Sequence, residues 1–457
     1  MENTTQNNRF GNWLRTSITA RMLMVGFLIL ILLIPLIFIK ELIRERAQRQ
    51  NEVISEINEK WGNELLFSGP ILRIPYRTYR ETVKLDQKTG RSIKERQVEI
   101  KAAYFFPDEL NIDGSIDAQP KNRSIYETIV YTAKLKCKGS FTTPNFQELD
   151  IDPEDIIWSK ATVLIKTSNL KGIRDEVRIQ LNEAQFPLIP KYQNTDNYNF
   201  SRIVQHNLTS RSIAWDKTNG ESVSFAFDFN VNGSERIRFV PLGKETKVHM
   251  VSNWPSPSFM GNFLPNDNAD DRVDQDGFKA SWTVLQTNRQ FEQQFFGSLP
   301  DLSEFAFGAD LIVPVDQYQK SERTAKYGFL VIALTFLVFF LIQTLSKINI
   351  HPFQYLMIGI ALVMFYTLLI SISEHSSYLK AYLVAGGAVV LLITLYSRSI
   401  LKNFKFPLFI ALSLIALYSF IFVIIQLENY ALLVGSLGLF FILAMVMFVS
   451  RKIDWQQ

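Results

Sequence analysis

Six long runs without a charged residue constrain this chain more than any other feature of its sequence. A helix needs about 20 apolar residues to cross about 30 Å of hydrocarbon, where every backbone polar group must be paired within the segment. The runs cover residues 22–39, 327–345, 353–372, 381–396, 406–427 and 430–448. A buried helical core is the alternative, but five of the runs follow one another with only short loops between them. The sequence therefore predicts one N-terminal anchor (22–39) and a bundle of five membrane helices (326–450).

The first run is predicted to remain as an anchor and not to be removed as a signal peptide. It is longer than a typical signal-peptide core, and residues 40–44, which follow it, are Lys-Glu-Leu-Ile-Arg and offer no small-residue cleavage site. Beyond the anchor, Glu45 and Arg49 are spaced for a helical ion pair, and Ile54, Ile57 and Trp61 form an apolar stripe. We expect a juxtamembrane helix over 40–66.

Lysine and arginine in the short segments predict the orientation of the chain. With the N-terminal tail (1–21) in the cytoplasm, the cytoplasmic segments contain nearly all of these residues, and the short outer loops contain only Lys380. Basic residues that flank the middle of the chain disagree, but long domains cross membranes largely regardless of charge. We therefore expect residues 67–325 on the periplasmic side and the C-terminal tail (451–457) in the cytoplasm.

The middle of the chain alternates apolar and polar residues, which is typical of strands with one buried face. The clearest run is Val223, Phe225, Phe227, Phe229 and Val231. Residues 98–106 and 131–137 show the same alternation, and Cys137 falls on an apolar face, where a core position is expected. Together with the membrane segments, this pattern predicts an all-β periplasmic domain of about 250 residues, an antiparallel β-sandwich or layered sheet that could consist of two halves.

Motifs for chemistry are nearly absent from the sequence. The net charge of +4 and the lack of a basic stripe argue against a nucleic-acid partner. The chain has no phosphate-binding loop, no dinucleotide fingerprint, no zinc-protease motif and no serine-hydrolase elbow. Ser168 and Lys171 form an SxxK match, but the companion motifs are missing or in reversed order. We expect no enzymatic activity, no cofactor and no metal.

Two sets of residues stand out as candidate sites. Trp254, Pro255 and Phe259 place large apolar groups on a proline-constrained segment, which suggests a partner-contact site, although packing inside the domain is the simpler explanation. Glu374 and His375 form an ionisable pair at the predicted outer end of a membrane helix. Such a pair could sense protons, whereas a solvated loop at the interface is the simpler interpretation.

The sequence resembles the CreD family of bacterial inner-membrane proteins over nearly its whole length. The residues that carry the resemblance are 69–72, 74–75, 252–259, Gly261, 263–265, Pro314, 316–318, Arg323, 325–327, 333–336, 351–352, 354–356, 362–366 and 373–375. The resemblance implies a protein of the inner membrane that is associated with envelope integrity and with a stress-responsive system. It supplies no molecular activity and no catalytic residues.

Two functions of different classes stay open at this point. The first is a non-enzymatic scaffold or sensor, whose periplasmic domain binds an envelope protein, a glycan or a lipid while the bundle lies in the bilayer. The second is a carrier of lipid-like or small apolar molecules through the bundle, which would require a continuous cavity. The sequence does not predict the oligomeric state, because Gly435 and Gly438 allow helix packing within one chain or between chains.

Overall fold

The computed structural model divides into two compact units, and residues 1–17 and 452–457, which make up most of the two tails predicted at the chain ends, lie outside the residues described. The helical unit comprises Met1–Glu52 and Val315–Gln457, and the strand unit comprises Val53–Pro314. The residues described are 18–85, 92–147, 151–191, 204–215, 222–266, 271–311, 317–346, 348–401, 404–427 and 430–451.

The long uncharged runs form helices. The helices are α1 (Ile18–Trp61), α2 (Gln317–Lys326), α3 (Gly328–Ser346), α4 (Pro352–Ser373), α5 (Tyr378–Ile400), α6 (Lys405–Gln426) and α7 (Ala431–Ser450). Six of these described helices, all but the short α2, are long and apolar enough to cross a membrane. The chain thus has an N-terminal apolar helix and a C-terminal bundle of five apolar helices. Helix α1, with 44 residues, is about 66 Å long and exceeds the thickness of the hydrocarbon layer.

Two glycines let α1 approach the other helices of the helical unit closely. A Cβ on Gly359 of α4 would lie 2.1 Å from Cδ1 of Leu32, and one on Gly328 of α3 would lie 2.7 Å from Cδ1 of Leu36. Both leucines are at most 2% exposed. Small residues at such crossings are the usual means by which membrane helices pack, because lipid supplies no hydrophobic driving force between them.

Large side chains fill the centre of the helical unit. Phe336, Phe339, Tyr355 and Tyr366 are fully buried, and the ring of Tyr355 packs against those of Phe336 and Phe339 at centroid distances of 5.4 and 6.2 Å. The Tyr355 hydroxyl donates to Gln343 at 2.8 Å, so this buried polar pair is satisfied. Aromatic packing of this kind contributes beyond the area it buries.

Helix α7 lies at the periphery of the helical unit, since none of its residues is buried. A Cβ on Gly438 would lie 2.2 Å from the ring of Phe420 in α6, whereas one on Gly435 would meet only Ile424 at 3.8 Å. Gly438 therefore serves helix packing within the chain.

The strand unit is built from sixteen described strands. They are β1 (Leu65–Leu85), β2 (Ser92–Phe105), β3 (Glu109–Arg123), β4 (Tyr126–Phe141), β5 (Thr162–Thr167), β6 (Arg178–Leu181), β7 (Ala184–Lys191), β8 (His206–Ser210), β9 (Val223–Ser234), β10 (Arg236–Phe239), β11 (Glu245–Ser252), β12 (Pro257–Gly261), β13 (Arg272–Asp274), β14 (Gly277–Leu285), β15 (Gln294–Phe296) and β16 (Phe307–Leu311). The order along the sheet is β12-β16-β10-β1-β5-β8-β7-β6-β9-β4-β3-β11-β14-β13, and β2 and β15 extend from β1.

The predicted sandwich of two separate sheets is not confirmed, because the strands form one sheet that nearly closes into a barrel. Strand β7 pairs with both β6 and β8 and so joins the two halves. Near the open ends of the sheet, the N–H of Asn266 donates to the carbonyl of Ser281 at 2.7 Å, which brings the segment after β12 against β14. Two pairings, β1 with β10 and β3 with β11, are parallel, so the sheet is not purely antiparallel.

Apolar side chains fill the interior of the barrel. Phe67 packs against Phe227, Phe229 and Phe239 at centroid distances of 5.3–6.3 Å, and Cys137 is fully buried, as its strand position predicts. Burial raises the pKa of the Cys137 thiol well above its ordinary value, which makes the thiol unreactive.

The apolar face predicted for residues 98–106 is buried only in part. Val98 and Ile100 are 54% and 63% exposed, because this part of β2 pairs with β1 beyond the point where β1 leaves β5. A two-stranded ribbon has no second layer to cover its faces.

Candidate functional site

The edge segment, residues 254–264 around the terminal strand β12, contains side chains that pack against the core of the domain and others that are exposed. The Phe259 ring packs edge-on against Phe278 and Trp282 at 5.7 and 5.6 Å, so its predicted contact surface is used inside the domain. Trp254 is half-buried against the same core, and Pro255 is exposed. The role of Trp254, Pro255 and Phe259 in binding a partner stays a prediction, for which Pro255 offers the most accessible position.

Glu374 joins three helices at one end of the helical unit. It directly follows α4, and its carboxylate accepts a hydrogen bond from the Tyr318 hydroxyl of α2 at 3.1 Å. The same carboxylate lies 3.7 Å from Nε of Arg46 in α1. A second ion pair, between Arg44 and Glu322 at 3.3 Å, also joins α1 to α2. These contacts fix α1 against the helices that follow the strand unit in sequence.

The side chains of Glu374 and His375 lie in different surroundings. The side chain of Glu374 is 14% exposed and turned toward Arg46 and Tyr318, whereas His375 is exposed. The position of His375 fits a solvated loop, and whether it senses protons stays a prediction. Sequence analysis missed Arg46 and Tyr318 because both lie far from Glu374 along the chain. The basic residues that follow the first span were an available signal. They were considered only for their disagreement with the predicted orientation, and not as partners for an acidic residue.

Buried hydroxyls lie near the same end of the helical unit and were also missed. Thr324 Oγ1 lies 2.6 Å from the Tyr378 hydroxyl and donates to the Lys320 carbonyl at 2.8 Å. The Tyr382 hydroxyl donates to the backbone carbonyl of Tyr418 at 2.8 Å. The spacing of Tyr378 and Tyr382 places both on one helical face, which is a signal that the sequence does contain.

The C-terminal end of α1 is built into the strand unit. The indole N–H of Trp61 donates to the carbonyl of Tyr131 at 3.3 Å, and the Ser234 hydroxyl donates to the carbonyl of Gly62 at 2.8 Å. The amide of Asn169 donates to the carbonyl of Asn63 at 3.0 Å. Gly62 has a φ of +146°, which lets the chain leave the helix at this point.

Glu235 lies beside this junction in a strained backbone conformation with φ +58°. Burial is the main influence on its carboxyl group and raises its pKa, and Glu64 and Asp310 add to the rise. Arg236 and a hydrogen bond from Asn58 act in the opposite direction. In the described part of the chain, no group of three or more histidine, cysteine or acidic side chains lies together as a metal site.

The two units define a class of protein: an integral membrane protein in which a large strand domain is inserted between an N-terminal membrane helix and a five-helix bundle. Comparison with known proteins identifies the family. The family model described as Inner membrane protein CreD matches residues 17–456. The chain is also 31% identical over 432 residues to Inner membrane protein CreD of Escherichia coli (strain K12), an alignment that covers 93% of this chain and 91% of that protein. The chain belongs to the CreD family, which confirms the resemblance found in its sequence.

Proposed function

We propose that this protein is a non-enzymatic scaffold or sensor of the bacterial inner membrane that contributes to envelope integrity and to the response to envelope stress. The strand unit lies in the periplasm and binds an envelope partner, and both termini lie in the cytoplasm. A structural role for Ser168 supports the non-enzymatic assignment. Its hydroxyl donates to the carbonyl of Glu64 at 2.7 Å and accepts from the N–H of Leu66 at 2.8 Å, so it is engaged in holding the strand unit together.

One observation carries the proposal: α1 is a single helix, without proline from Leu36 to Trp61, whose first part belongs to the helical unit and whose last turns belong to the strand unit. Its first part packs on Gly359 and Gly328 and pairs with Glu374 in the helical unit. Its last turn is hydrogen-bonded to the strand unit through Trp61 and Gly62. A continuous helix transmits rotation or displacement from one end to the other, so binding at the strand unit can change the packing of the membrane helices.

Changing the helical phase of α1 tests this proposal. Two alanines inserted between Asn51 and Glu52 rotate one end relative to the other by about 200°, whereas seven alanines restore the phase to within about 20°. Each variant is expressed in a strain that lacks the protein, and growth is measured under detergent or cell-wall antibiotics. We expect the seven-residue insertion to restore growth and the two-residue insertion to fail at equal membrane abundance. Equal rescue by both would contradict transmission through α1.

The exposed part of the edge segment is the proposed partner surface. Besides Pro255, it presents Met260 and Leu264, which are 46% and 72% exposed. A photo-crosslinking amino acid at position 255 in living cells is expected to capture a specific envelope component. The same group at Ile189, an exposed position on β7, is the control and should not capture it. Recovery of lipid alone at position 255 would contradict a protein or glycan partner.

The alternative proposal is a carrier of lipid-like or small apolar molecules through the bundle. Its support is the set of buried hydroxyls in the helical unit, since polar groups within membrane helices are often functional. The large rings of Phe336, Phe339 and Tyr355 occupy the centre of that unit and favour the scaffold. Reconstituted vesicles that exchange a fluorescent lipid faster with the protein than without it would favour the carrier.

A further inference from the structure

Four tyrosines from three helices meet inside the helical unit. They are Tyr366 of α4, Tyr378 and Tyr382 of α5, and Tyr418 of α6, and each is at most 4% exposed. The rings of Tyr378 and Tyr382 are 5.9 Å apart, and those of Tyr382 and Tyr418 are 6.4 Å apart. The ring of Phe365 packs against those of Tyr366, Tyr382 and Tyr418 at 4.9, 5.3 and 4.6 Å and joins Tyr366 to the cluster. Tyr366 precedes Glu374 by two helical turns, so the cluster lies about 12 Å from that end of α4.

The hydrogen bonds of this tyrosine cluster leave specific atoms without partners. Thr324 uses its proton on the Lys320 carbonyl, so the Tyr378 hydroxyl donates to Thr324, and Tyr382 donates to the Tyr418 carbonyl. Among the described residues, the hydroxyls of Tyr366 and Tyr418 have no partner. The cluster thus offers two free O–H donors beside the acceptor oxygens of Tyr378 and Tyr382.

Buried hydroxyls without partners are costly in any apolar environment, and hydrocarbon offers them no bulk water. Tyr366 and Tyr418 both pack against the ring of Phe365, so one polar partner is expected to serve their two hydroxyls. Tyr366, Tyr382 and Tyr418 lie in the uncharged runs 353–372, 381–396 and 406–427, which supply no acidic or basic side chain to the cluster. A neutral site of donors and acceptors selects a neutral ligand, because a charged one would be desolvated without compensation.

We propose that the tyrosine cluster is a binding site for an uncharged hydroxyl group, which accepts hydrogen bonds from Tyr366 and Tyr418 and donates to Tyr378 or Tyr382. Water that enters from the Glu374 end and the alcohol headgroup of a lipid share this chemistry. The inference does not depend on the proposed function, since a scaffold and a carrier can each contain such a site.

Removal of single hydroxyls tests whether the site is occupied. In the full-length protein in detergent, Tyr366→Phe and Tyr418→Phe should each lower the midpoint of thermal unfolding by roughly 2–6 °C if a ligand is bound. If the hydroxyls have no ligand, each substitution removes an unsatisfied donor and the midpoint stays equal or rises. Tyr430→Phe is the control, because Tyr430 is 65% exposed. Unchanged or raised midpoints for both variants overturn the proposal.

Cysteine labelling in membranes distinguishes water from lipid. The native Cys137 is fully buried and provides an unreactive background. Tyr418→Cys should react with a small neutral water-soluble thiol reagent at least tenfold faster than Leu414→Cys, a buried apolar position one turn earlier on the same helix, if water fills the site. If a lipid fills it, neither cysteine reacts, and mass spectrometry finds a lipid that the wild type retains and the Tyr366→Phe/Tyr418→Phe variant loses. The proposal is overturned if both substitutions lower the midpoint while Tyr418→Cys labels no faster than Leu414→Cys and mass spectrometry finds no lipid. The hydroxyls would then be bonded to the protein itself.

Discussion

The substitution Gly62→Ala, which adds one methyl group directly after α1, should destabilise the strand unit more than Gly297→Ala does. A Cβ on Gly62 would lie 2.4 Å from the backbone oxygen of Asn232 and 2.8 Å from Nδ2 of Asn169. The Asn232 oxygen belongs to β9, which is paired with β4 along its length and cannot shift alone. Alanine at position 62 would therefore have an unfavourable φ and would also clash with the backbone oxygen of Asn232.

The magnitude follows from these terms. A side chain in this backbone region costs about 1–3 kcal/mol, relief of the overlap costs about 1–3 kcal/mol, and weakening of the hydrogen bond from Ser234 to Gly62 costs about 1 kcal/mol. Because each kcal/mol lowers the unfolding midpoint of a unit of this size by about 2–4 °C, a total of about 5 kcal/mol corresponds to roughly 10–20 °C.

The control is Gly297→Ala, whose φ of +86° carries the backbone cost while its Cβ would enter open space. Thermal unfolding of both full-length variants in detergent, followed by tryptophan fluorescence, measures the difference. We expect Gly62→Ala to lower the midpoint at least twice as far as Gly297→Ala. Equal shifts would refute the inference that close contact between α1 and β9 holds this junction together.

Three further predictions concern single contacts. Glu374→Gln and Arg46→Gln should show a coupling of about 0.5–1 kcal/mol in a double-mutant cycle of unfolding, whereas additive effects would mean that the ion pair contributes nothing. The folded-state pKa of Glu235 is raised, so the stability that its neutral form provides is complete below its ordinary pKa of 4.5 and is lost as the pH rises through the raised value. Glu235→Gln should therefore raise the unfolding midpoint at pH 7 but not at pH 4, and a pH-independent difference would contradict this. Gly438→Ala, whose Cβ would lie 2.2 Å from a ring of α6, should cost about 1–3 kcal/mol, while Gly435→Ala should be nearly neutral; equal losses in unfolding experiments would argue against packing at Gly438.

The sequence predicted most reliably those features that the solvent imposes locally. Hydrocarbon length alone identifies the apolar helices, because an unpaired backbone group in lipid is too costly to tolerate. Alternation identified the strand that begins at Val223 and the buried position of Cys137. It could not identify strand partners: β1 pairs with β10 in parallel, although most of the strand unit separates them in sequence. Period two fixes which face is buried and leaves the order of strands open, and a sandwich and a nearly closed barrel therefore share one pattern.

The candidate site shows the same division between local and remote information. Glu374 was recognised from its own position at a helix end, but its partners Arg46 and Tyr318 come from α1 and α2. The neighbour in sequence, His375, is exposed to solvent instead. Phe259 shows the opposite case, in which an apolar residue predicted to contact a partner is partly buried against Trp282 and Phe278.

The packing of α1 against Gly328 and Gly359 also determines the order in which the helical unit can assemble during synthesis. Leu32 and Leu36 leave the ribosome first, whereas Gly328 and Gly359 are synthesised only after the whole strand unit. During that interval α1 resides in the bilayer without these neighbours, and its leucines are covered by acyl chains. Insertion of each helix and its later association are separate stages in membranes. Assembly of the helical unit therefore requires acyl chains to be displaced from Leu32 and Leu36 when α3 and α4 pack against α1. Nascent chains truncated before Gly328 should remain inserted in the membrane but unassembled.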